Sequence, residues 1–357
     1  MKVALLGYGA AGAVLHAPLI SATAGLELAA IVTRDRARHV AARRAYPTTA
    51  VHPDPAAIWG GGFDLVVIAT ASGSHVELAR KAIEAGVAVV VDKPLATSSR
   101  AAAEVVRLAR DRGVPLTVFQ NRRWDSDFRT VQRILSEGRL GRVHRLESRF
   151  ELYREMDPRA WQESADPIDG GGVLIDLGSH LIDQALVLFG RPISVFAEIH
   201  RRRPGAVIDD DVFVSLAFPD DITCHLWMSR VAHASGPGFR LIGSDAAFEI
   251  DDTDPQWGAL ERGERPGGPS WGRHPTMGHL LSEAVDGPAV RRVRPVAGAY
   301  HEFYERVRDA LLTGGPMPVD PQDAIDVLRV IEASRSSAER GRVIAFDGLA
   351  TGRPARS

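Results

Sequence analysis

The chain has 357 residues, 45% of them hydrophobic and 25% charged, and that length allows two domains or three small ones. The composition is typical of a globular protein and excludes a mainly disordered or collagen-like chain. Lys and Arg number 43 against 45 Asp and Glu, so the formal net charge of −2 gives no overall attraction to nucleic acid or anionic lipid. Neither nucleic acid nor a membrane is expected as a partner.

The single cysteine, Cys224, can form neither an intramolecular disulfide nor a cysteine-rich zinc site. The apolar run that follows Met1 and Lys2 is too short for a signal peptide or a membrane span. These features predict a cytoplasmic protein.

Lysine is rare in this chain. It occurs only at Lys2, Lys81 and Lys93, and the other 40 of the 43 basic residues are arginine. A lysine kept against this background is a candidate for a task that arginine cannot perform, such as donating from a compact ammonium group. Lys2 lies at the chain terminus and Lys81 on a predicted exposed helix face, so Lys93 is the lysine of interest.

The first third of the chain alternates predicted strands with predicted helices. The strands lack polar alternation, as buried parallel strands do. This pattern predicts an α/β fold in which residues 1–121 form a Rossmann-type, doubly wound parallel sheet. The predicted strands are 2–7, 28–32, 64–70, 87–91 and 116–119. The first predicted helix follows the glycines after the first strand and ends near residue 21, and the others are 75–84 and 98–112.

After Asn121 the predicted strands follow one another through short turns. This arrangement predicts a C-terminal α+β domain, residues 122–357, with a large and mostly antiparallel open sheet and helices on one face. Residues 251–295 are rich in Gly and Pro and are predicted to form a long ordered loop or lid. The predicted strands are 143–152, 193–201, 212–218, 223–230 and 239–242, and the predicted helices are 128–137, 173–189, 300–312 and 321–340.

A glycine motif separates the first predicted strand from the first predicted helix. In this context it predicts a dinucleotide site, because glycines allow a tight turn and close approach of a pyrophosphate, and a helix N-terminus offers N–H groups to the anion. The alternative is a glycine turn without a ligand. The motif is Gly7-Tyr8-Gly9-Ala10-Ala11-Gly12.

The end of the second strand indicates which dinucleotide is preferred. An acidic residue there would bind the ribose hydroxyls of NAD, but the sequence has Thr33 and Arg34, with Arg38 one helical turn later. Arginine suits the 2′-phosphate of NADP because its guanidinium binds phosphate in a bidentate manner. NADP is therefore favoured over NAD. In the alternative, both arginines are surface charges and Asp35 binds the ribose.

Lys93 lies in the sequence Asp92-Lys93-Pro94, immediately after a predicted strand. Ligands of open parallel sheets bind beyond the carboxyl ends of the strands, so Lys93 is expected in the same crevice as the glycine motif. This is where a catalytic group would lie. The alternative is an ordinary loop lysine.

Asp176 and His180 are four residues apart on a predicted apolar helix that follows three glycines, so they share one helix face. Such a pair is costly if buried without partners, and it is therefore exposed or lines a functional cavity. A structural hydrogen bond between the two is an equal alternative from periodicity alone. No other His and Asp cluster has a matching spacing, so no metal is predicted.

In this order and at these separations, the glycine motif, Asp92-Lys93-Pro94 and the Asp176/His180 helix resemble the Gfo/Idh/MocA oxidoreductase family, named after glucose-fructose oxidoreductase and inositol dehydrogenase. The resemblance covers nearly the whole chain. Residues 16–20, 119–125 and 180–186 resemble the subgroup that contains NADP-dependent scyllo-inositol dehydrogenases. The sequence departs from the family pattern at Asp92, where glutamate is more common, and at Ala71-Ser72, where Pro-Asn is frequent.

The resemblance implies roles for individual residues. His180 would be the general acid/base, Lys93 would hydrogen-bond the reacting oxygen, and Asp176 would orient both. Further contacts to the cofactor would come from Thr70, Ser72, His75, Asp92, Lys93 and Asn121. Aromatic faces and charged donors suit a polyol, although structural roles are an alternative for each such residue. These substrate candidates are Arg123, Trp124, Tyr153, Arg154 and Trp161.

We therefore expect an NADP-dependent dehydrogenase, with NAD possible, that acts on a secondary alcohol of an inositol or sugar. One alternative is a nicotinamide-dependent glycosidase of the same family, in which hydride transfer is transient and the net reaction is hydrolysis. Another is a non-catalytic sugar-sensing regulator, against which the intact Lys93, Asp176 and His180 argue. The family resemblance also implies a homodimer or homotetramer, and an open sheet leaves an apolar face to cover.

Overall fold

A computed structural model describes residues 1–157, 161–251, 254–284 and 287–346 of the chain. The chain divides into two units, each assembled from segments that are distant in sequence. Unit 1 comprises Met1–Trp124, Gln256–Trp271 and Ala299–Asp326, and unit 2 comprises the described residues of Asp125–Pro255, Gly272–Gly298 and Val327–Ser357.

A six-stranded sheet forms the centre of unit 1, and every pair of neighbouring strands in it is parallel. The apolar residues of β1, β4 and β5 are almost completely buried, as in strands covered on both faces. The predicted doubly wound fold is thereby confirmed. The strands are β1 (Lys2–Leu6), β2 (Glu27–Val32), β3 (Ala50–His52), β4 (Leu65–Ile68), β5 (Ala88–Asp92) and β6 (Leu116–Phe119), in the order β3-β2-β1-β4-β5-β6.

Unit 2 contains a nine-stranded sheet that is mostly antiparallel, as predicted. In the described part of this sheet, only β7 and β10 pair in parallel. The strands are β7 (Val143–Glu151), β8 (Ser194–His200), β9 (Asp211–Ala217), β10 (Thr223–Ser229), β11 (Phe239–Gly243), β12 (Ala247–Ile250), β13 (Gly278–Ala284), β14 (Gly287–Val293) and β15 (Ile344–Ala345), in the order β14-β13-β12-β11-β7-β10-β9-β8-β15.

The helices predicted over 75–84, 98–112, 128–137, 300–312 and 321–340 are present within two residues of the predicted bounds, whereas Arg36–Ala45 and Gln256–Glu261 have no predicted counterpart. A π-helical segment, Ala11–His16, leads directly into α1, and Asp320 caps α10 by accepting a hydrogen bond from the backbone N–H of Gln322 at 2.9 Å. The helices are α1 (Ala17–Ala22), α2 (Arg36–Ala45), α3 (His75–Glu84), α4 (Ser99–Arg112), α5 (Ser126–Ser136), α6 (Val173–Asp176), α7 (Gly178–Phe189), α8 (Gln256–Glu261), α9 (His301–Thr313) and α10 (Pro321–Arg340).

The two faces of the unit 2 sheet differ. Val214 and Leu226 are fully buried on one face, which α7 also covers: a Cβ at Gly178 would lie 3.0 Å from the sulfur of Met228 on β10. On the other face Phe213 and Trp227 are half-buried, and their ring centroids lie 5.2 Å apart. The outer face of this sheet therefore carries partly exposed aromatic side chains.

The structure corrects the prediction of a long loop over residues 251–295. This segment contains α8 and the hairpin of β13 and β14, which extends the sheet at the edge of β12. Most residues of the two hairpin strands are partly or fully exposed, and β13 gains its pairing partner from β12, so local periodicity gives little sign of these strands.

The boundaries of the units also differ from the predicted domain limits at 121 and 122. Residues 256–271 and 299–326 pack with the parallel sheet of unit 1. The Thr117 hydroxyl on β6 donates to the carbonyl of Val319 at 2.8 Å, and the ring of Phe303 on α9 lies edge-on to Phe119, with ring centroids 4.8 Å apart. Contacts of this kind depend on tertiary packing and leave no sequence signal at the boundary.

In the described part of the chain, no helix has the length and apolar character that crossing a membrane requires.

Candidate functional site

The glycine motif forms the turn between β1 and the π-helical segment. Gly7 has a φ of +98°, and a Cβ at Gly7 would collide with the carbonyl oxygen of Ala69. A Cβ at Gly12 would collide with the carbonyl oxygen of Gly7. These two positions require glycine for close packing of the turn, as the motif predicts.

Gly9 differs from the other two glycines of the motif. A Cβ at Gly9 would meet only Nη1 of Arg38, at an ordinary contact distance of 3.6 Å. Packing does not require glycine there, and the open space is the feature that a pyrophosphate needs for close approach. The residues of this turn therefore fit a bound dinucleotide.

The neighbours of Gly9 add no negative charge to this turn. Ala10 and Ala11 begin the helical segment, and Tyr8 is buried. Burial, together with the nearby Tyr46, raises the pKa of Tyr8 to about 12. The Tyr8 hydroxyl is consequently neutral at physiological pH.

The end of β2 places Thr33 in the core and Arg34 and Arg38 at the surface. Asp35 caps α2, since its carboxylate accepts a hydrogen bond from the backbone N–H of Arg38 at 2.8 Å. The acidic side chain that could have bound a ribose is thus engaged in a helix cap, and the guanidinium of Arg38 extends towards Gly9.

The loop after β4 contains Thr70, Ser72 and His75. The Thr70 hydroxyl shares a hydrogen bond with Ser74 at 2.7 Å, and Ser72 is buried. The imidazole of His75 lies between two carbonyl oxygens, with Nδ1 2.8 Å from Pro94 and Nε2 3.0 Å from Thr70. His75 therefore connects this loop to the segment that contains Lys93, which is a positioning role.

Asp92 and Lys93 lie at the carboxyl end of β5, as predicted, and both are half-buried. The Asp92 carboxylate accepts the Lys93 backbone N–H at 2.8 Å, and its Oδ2 lies 3.7 Å from Nε2 of the fully buried His16. Burial tends to raise the pKa of Asp92, but attraction to His16, Lys93 and His75 outweighs it and holds that pKa below its ordinary value.

The segment after β6 contains three candidate residues, all in unit 1. Asn121 is buried, and Nη2 of Arg123 forms an ion pair with Asp323 at 3.0 Å. Trp124 is only 5% exposed and packs edge-on against Phe303, with ring centroids 5.5 Å apart. The ring of Trp124 is thus part of the aromatic core of unit 1, and its contact with substrate stays a prediction.

The helix predicted over 173–189 is interrupted at Leu177, between Asp176 and His180. The backbone N–H of His180 donates to the carbonyl of Leu177 at 3.1 Å, a three-residue step that ends α6 and begins α7. The two side chains therefore do not occupy successive turns of one regular helix. Asp176 is mostly buried and His180 is buried, both within unit 2.

Asp176 has a partner that the sequence did not indicate. Nη2 of Arg230, which follows β10, donates to Oδ2 of Asp176 at 2.5 Å. The N-terminus of α6 is held by Asp209, whose carboxylate accepts the backbone N–H of Leu174 at 2.8 Å. Gly172 has a φ of +90°, and a Cβ there would collide with this carboxylate, which explains one of the three glycines.

The other substrate candidates lie in unit 2. Tyr153 is 51% exposed, and its ring stacks on His233 with centroids 4.0 Å apart. Arg154 is exposed, and Trp161 is half-buried at the start of a 3₁₀ turn. Tyr153 and Arg154 follow β7, and Arg230 and His233 follow β10. These four residues therefore lie just beyond the carboxyl ends of β7 and β10, the one parallel pair found in the described part of the sheet.

Over the described residues, no group of three or more His, Cys, Asp or Glu side chains is arranged to hold a metal ion.

Comparison with known proteins identifies the family. Residues 1–120 match the oxidoreductase family with an NAD-binding Rossmann fold, and residues 128–249 match the Gfo/Idh/MocA C-terminal domain. The chain belongs to the Gfo/Idh/MocA oxidoreductase family. The resemblance drawn from the three motifs is confirmed, and so is the expectation of an enzyme.

Several relatives match this oxidoreductase over nearly its full length. It is 37% identical to the uncharacterized oxidoreductase YdgJ of Escherichia coli, over 95% of this chain and 96% of that protein. It is 31% identical to the scyllo-inositol 2-dehydrogenase (NADP(+)) IolW of Bacillus subtilis, over 97% of this chain and 96% of that protein. The structure of YPO2259 from Yersinia pestis superposes with a TM-score of 0.91 at 34% identity, covering 98% of each chain.

Within this Gfo/Idh/MocA oxidoreductase, sequence reasoning missed His16 as a neighbour of Asp92, and it missed Arg230 and Asp209 as supports of the Asp176 helix. A signal existed for His16, because it lies in the 16–20 stretch that resembles the inositol dehydrogenase subgroup. No signal singled out Arg230 among 40 arginines.

Proposed function

We propose that this oxidoreductase is an NADP-dependent dehydrogenase that oxidises a secondary alcohol of a cyclic polyol or sugar, with an inositol as the model substrate. The cofactor preference rests on one observation. The guanidinium of Arg38 lies next to Gly9, whereas the carboxylate of Asp35 is engaged as a helix cap. The similarity to an enzyme named scyllo-inositol 2-dehydrogenase (NADP(+)) supports both parts of the proposal.

We propose Gly7 to Gly12 as the pyrophosphate turn and Arg34 and Arg38 as the partners of a 2′-phosphate. Oxidation of the alcohol relies on a bound nicotinamide dinucleotide to accept the hydride. Other contacts to this group are proposed for Thr33, Thr70, Ser72, Asp92, Lys93 and Asn121, whereas His75 supports the loop.

The protein must remove the hydroxyl proton and stabilise the reacting oxygen. His180 is proposed to accept that proton, because an imidazole can take and return a proton near neutral pH. The ammonium group of Lys93 donates a hydrogen bond to the oxygen and stabilises its developing negative charge. Asp176 is proposed to orient His180 through its carboxylate. Tyr153, Arg154 and Trp161 are proposed to contact the remaining hydroxyls and ring of the substrate.

We also propose that the chain forms a homodimer or homotetramer through the outer face of the unit 2 sheet. Phe213 and Trp227 lie side by side on that face, and the guanidinium of Arg149 stacks 4.1 Å from the Trp227 ring centroid. An aromatic sheet face of this kind is stabilised by covering it with a second copy. A cytoplasmic location is proposed because the single cysteine allows no intramolecular disulfide.

The test is a substrate screen with the purified protein. Reduction of NADP and of NAD is followed across inositols, aldoses and sugar acids, and we expect turnover of a cyclic polyol or sugar with a higher kcat/KM for NADP. Equal or better efficiency with NAD contradicts the cofactor preference. Release of a sugar from a glycoside without net cofactor reduction would instead identify the glycosidase reaction.

A further inference from the structure

Five side chains of alternating charge form a network of ion pairs in unit 2 that ends at Asp176. The Arg230 side chain, 4% exposed, donates from Nη2 to Asp176 and lies with Nη1 3.5 Å from Oε1 of Glu163. Glu163 in turn accepts two hydrogen bonds from Arg203, at 3.1 and 2.8 Å. Arg203 donates from Nε to the fully buried Asp210 at 3.0 Å.

Asp210, at the other end of this network, is hydrogen-bonded to the backbone. The carboxylate of Asp210 accepts the backbone N–H groups of Arg202 and Arg203, at 2.7 and 2.9 Å. The backbone N–H of Arg230 itself donates to the carbonyl of Asp210 at 2.9 Å. The backbone and the guanidinium of Arg230 are therefore both anchored, and the guanidinium has little freedom to rotate away from Asp176.

Stability alone is a weak explanation for so many buried charges. Replacing a buried ion pair with packed apolar residues is often neutral or stabilising, whereas breaking one pair leaves a charge without a partner. A rigid guanidinium does, however, determine the direction of the carboxylate that it binds. The interruption between α6 and α7 at Leu177 makes such support necessary, because α6 has only four residues to hold Asp176 in place.

We infer that Arg230 is a positioning residue for the reaction, which acts by fixing the carboxylate of Asp176, while Glu163, Arg203 and Asp210 hold Arg230 in place. This inference rests on the proposed role of Asp176. Arg230 is not expected to touch the substrate or the cofactor.

A double-mutant cycle separates positioning from a general structural role. The variants are Arg230→Gln, Arg230→Lys, Asp176→Asn and the double variant Arg230→Gln with Asp176→Asn, each measured for kcat, KM, NADP affinity and urea unfolding. We expect Arg230→Gln to lower kcat by about 10- to 100-fold, because a misplacement of about 1 Å can cost ~10²-fold. NADP affinity should change less than about 3-fold, roughly 0.6 kcal/mol.

In the Asp176→Asn background, Arg230→Gln should lower kcat by less than about 3-fold further, since the group through which it acts has been altered. Arg230→Lys keeps the charge but cannot bind two carboxylates with a planar fork, so it should give an intermediate kcat. It also provides the measurement if the glutamine variant does not fold. The control is Arg240→Gln, whose partly exposed ion pair with Glu249 on the neighbouring strand should be dispensable.

The outcomes distinguish the inference from the proposed function. If the wild type is active and Asp176→Asn is impaired, but Arg230→Gln lowers kcat by the same factor in both backgrounds or Arg230→Lys matches the wild type, the inference is wrong and the proposed function stands. If the wild type reduces neither dinucleotide with any substrate, or Asp176→Asn is fully active, the proposed function fails and the inference fails with it.

Discussion

Nδ1 of His16 and the hydroxyl of Tyr304 share a hydrogen bond of 2.5 Å between residues 288 positions apart, and both side chains are fully buried. The other ring nitrogen of His16 faces Asp92. Tyr304 on α9 therefore supports the segment that carries Lys93 through a single intervening imidazole. Burial and the nearby Asp92 also raise the pKa of Tyr304, so its hydroxyl stays protonated and available for this hydrogen bond.

Tyr304→Phe removes this hydroxyl while keeping the ring. We expect the free energy of unfolding to fall by about 1–3 kcal/mol, because a buried ring nitrogen loses its partner. Urea unfolding measures the change. Tyr153→Phe, at a half-exposed tyrosine, should change stability by less than about 0.5 kcal/mol. Equal stability of Tyr304→Phe and wild type would show that the contact contributes nothing.

Asp92→Asn should have an effect on stability that depends on pH. The pKa of Asp92 lies below its ordinary value, so the folded state favours the ionised carboxylate. Its contribution is therefore present above the unfolded-state pKa of about 3.9 and is lost as the pH falls through the folded-state pKa. We expect the variant to be less stable than wild type near neutral pH and the difference to shrink below about pH 4. Urea midpoints between acidic and neutral pH measure this, and a constant difference would contradict it.

Gly9→Ala separates a ligand-binding turn from a turn that needs glycine only for packing. A Cβ at Gly9 meets one side-chain atom at 3.6 Å, so the melting temperature should be unchanged. The same methyl group would occupy the space of the pyrophosphate, and we expect NADP affinity to fall at least about tenfold, or 1.4 kcal/mol. Gly60→Ala, where no atom lies within 4 Å of a Cβ, should change neither quantity. Unchanged dinucleotide binding by Gly9→Ala would move the cofactor site away from this turn.

Lys93→Arg tests whether a compact ammonium group is needed. If Lys93 donates to the reacting oxygen, a longer planar guanidinium mis-aims the donor, and kcat should fall by about 10²–10³ with little change in NADP affinity. Lys81→Arg is the matched control, because Lys81 pairs with Glu77 on the exposed face of α3 and arginine can replace it there. A variant at position 93 that keeps more than about a tenth of the wild-type kcat falls outside this range and refutes the role.

Trp227→Asp should weaken association of the chain. The aspartate would place a charge in the aromatic outer face of the unit 2 sheet, where desolvation is unfavourable. Light scattering at micromolar concentration should show an oligomer for the wild type and a smaller species for the variant. Leu312→Asp, at a 68% exposed position on α9, serves as the control. A monomeric wild type would exclude the proposed assembly.

Elements with strong local patterns could be predicted from the sequence. The helices at 75–84 and 321–340 and the strand at 116–119 have the predicted bounds, because periodicity, caps and short apolar runs are properties of neighbouring residues. The hairpin of β13 and β14 could not be predicted in the same way. Most side chains of its two strands are partly or fully exposed, so they lack the apolar run of a buried strand, and β13 is held by its non-local pairing with β12.

The candidate site shows the same division. The glycine motif and the Asp176/His180 spacing are visible in the sequence because each is contiguous. The interruption at Leu177 and the bond from Arg230 to Asp176 are not visible, since the partners are 54 residues apart and arginine is the common cation of this chain. The burial of Trp124 is not visible either, because an aromatic residue next to an arginine suits a sugar site and a core equally well.

The assembly of unit 1 from distant segments has a consequence for synthesis of the chain. Phe303, Tyr304 and Val319 complete the core around β1 and β6, so the parallel sheet lacks part of its covering until these residues have left the ribosome. A nascent chain that ends near Asn121 exposes apolar surface which the finished protein buries, and such surface promotes aggregation. Folding of the dinucleotide-binding half is therefore coupled to completion of nearly the whole polypeptide.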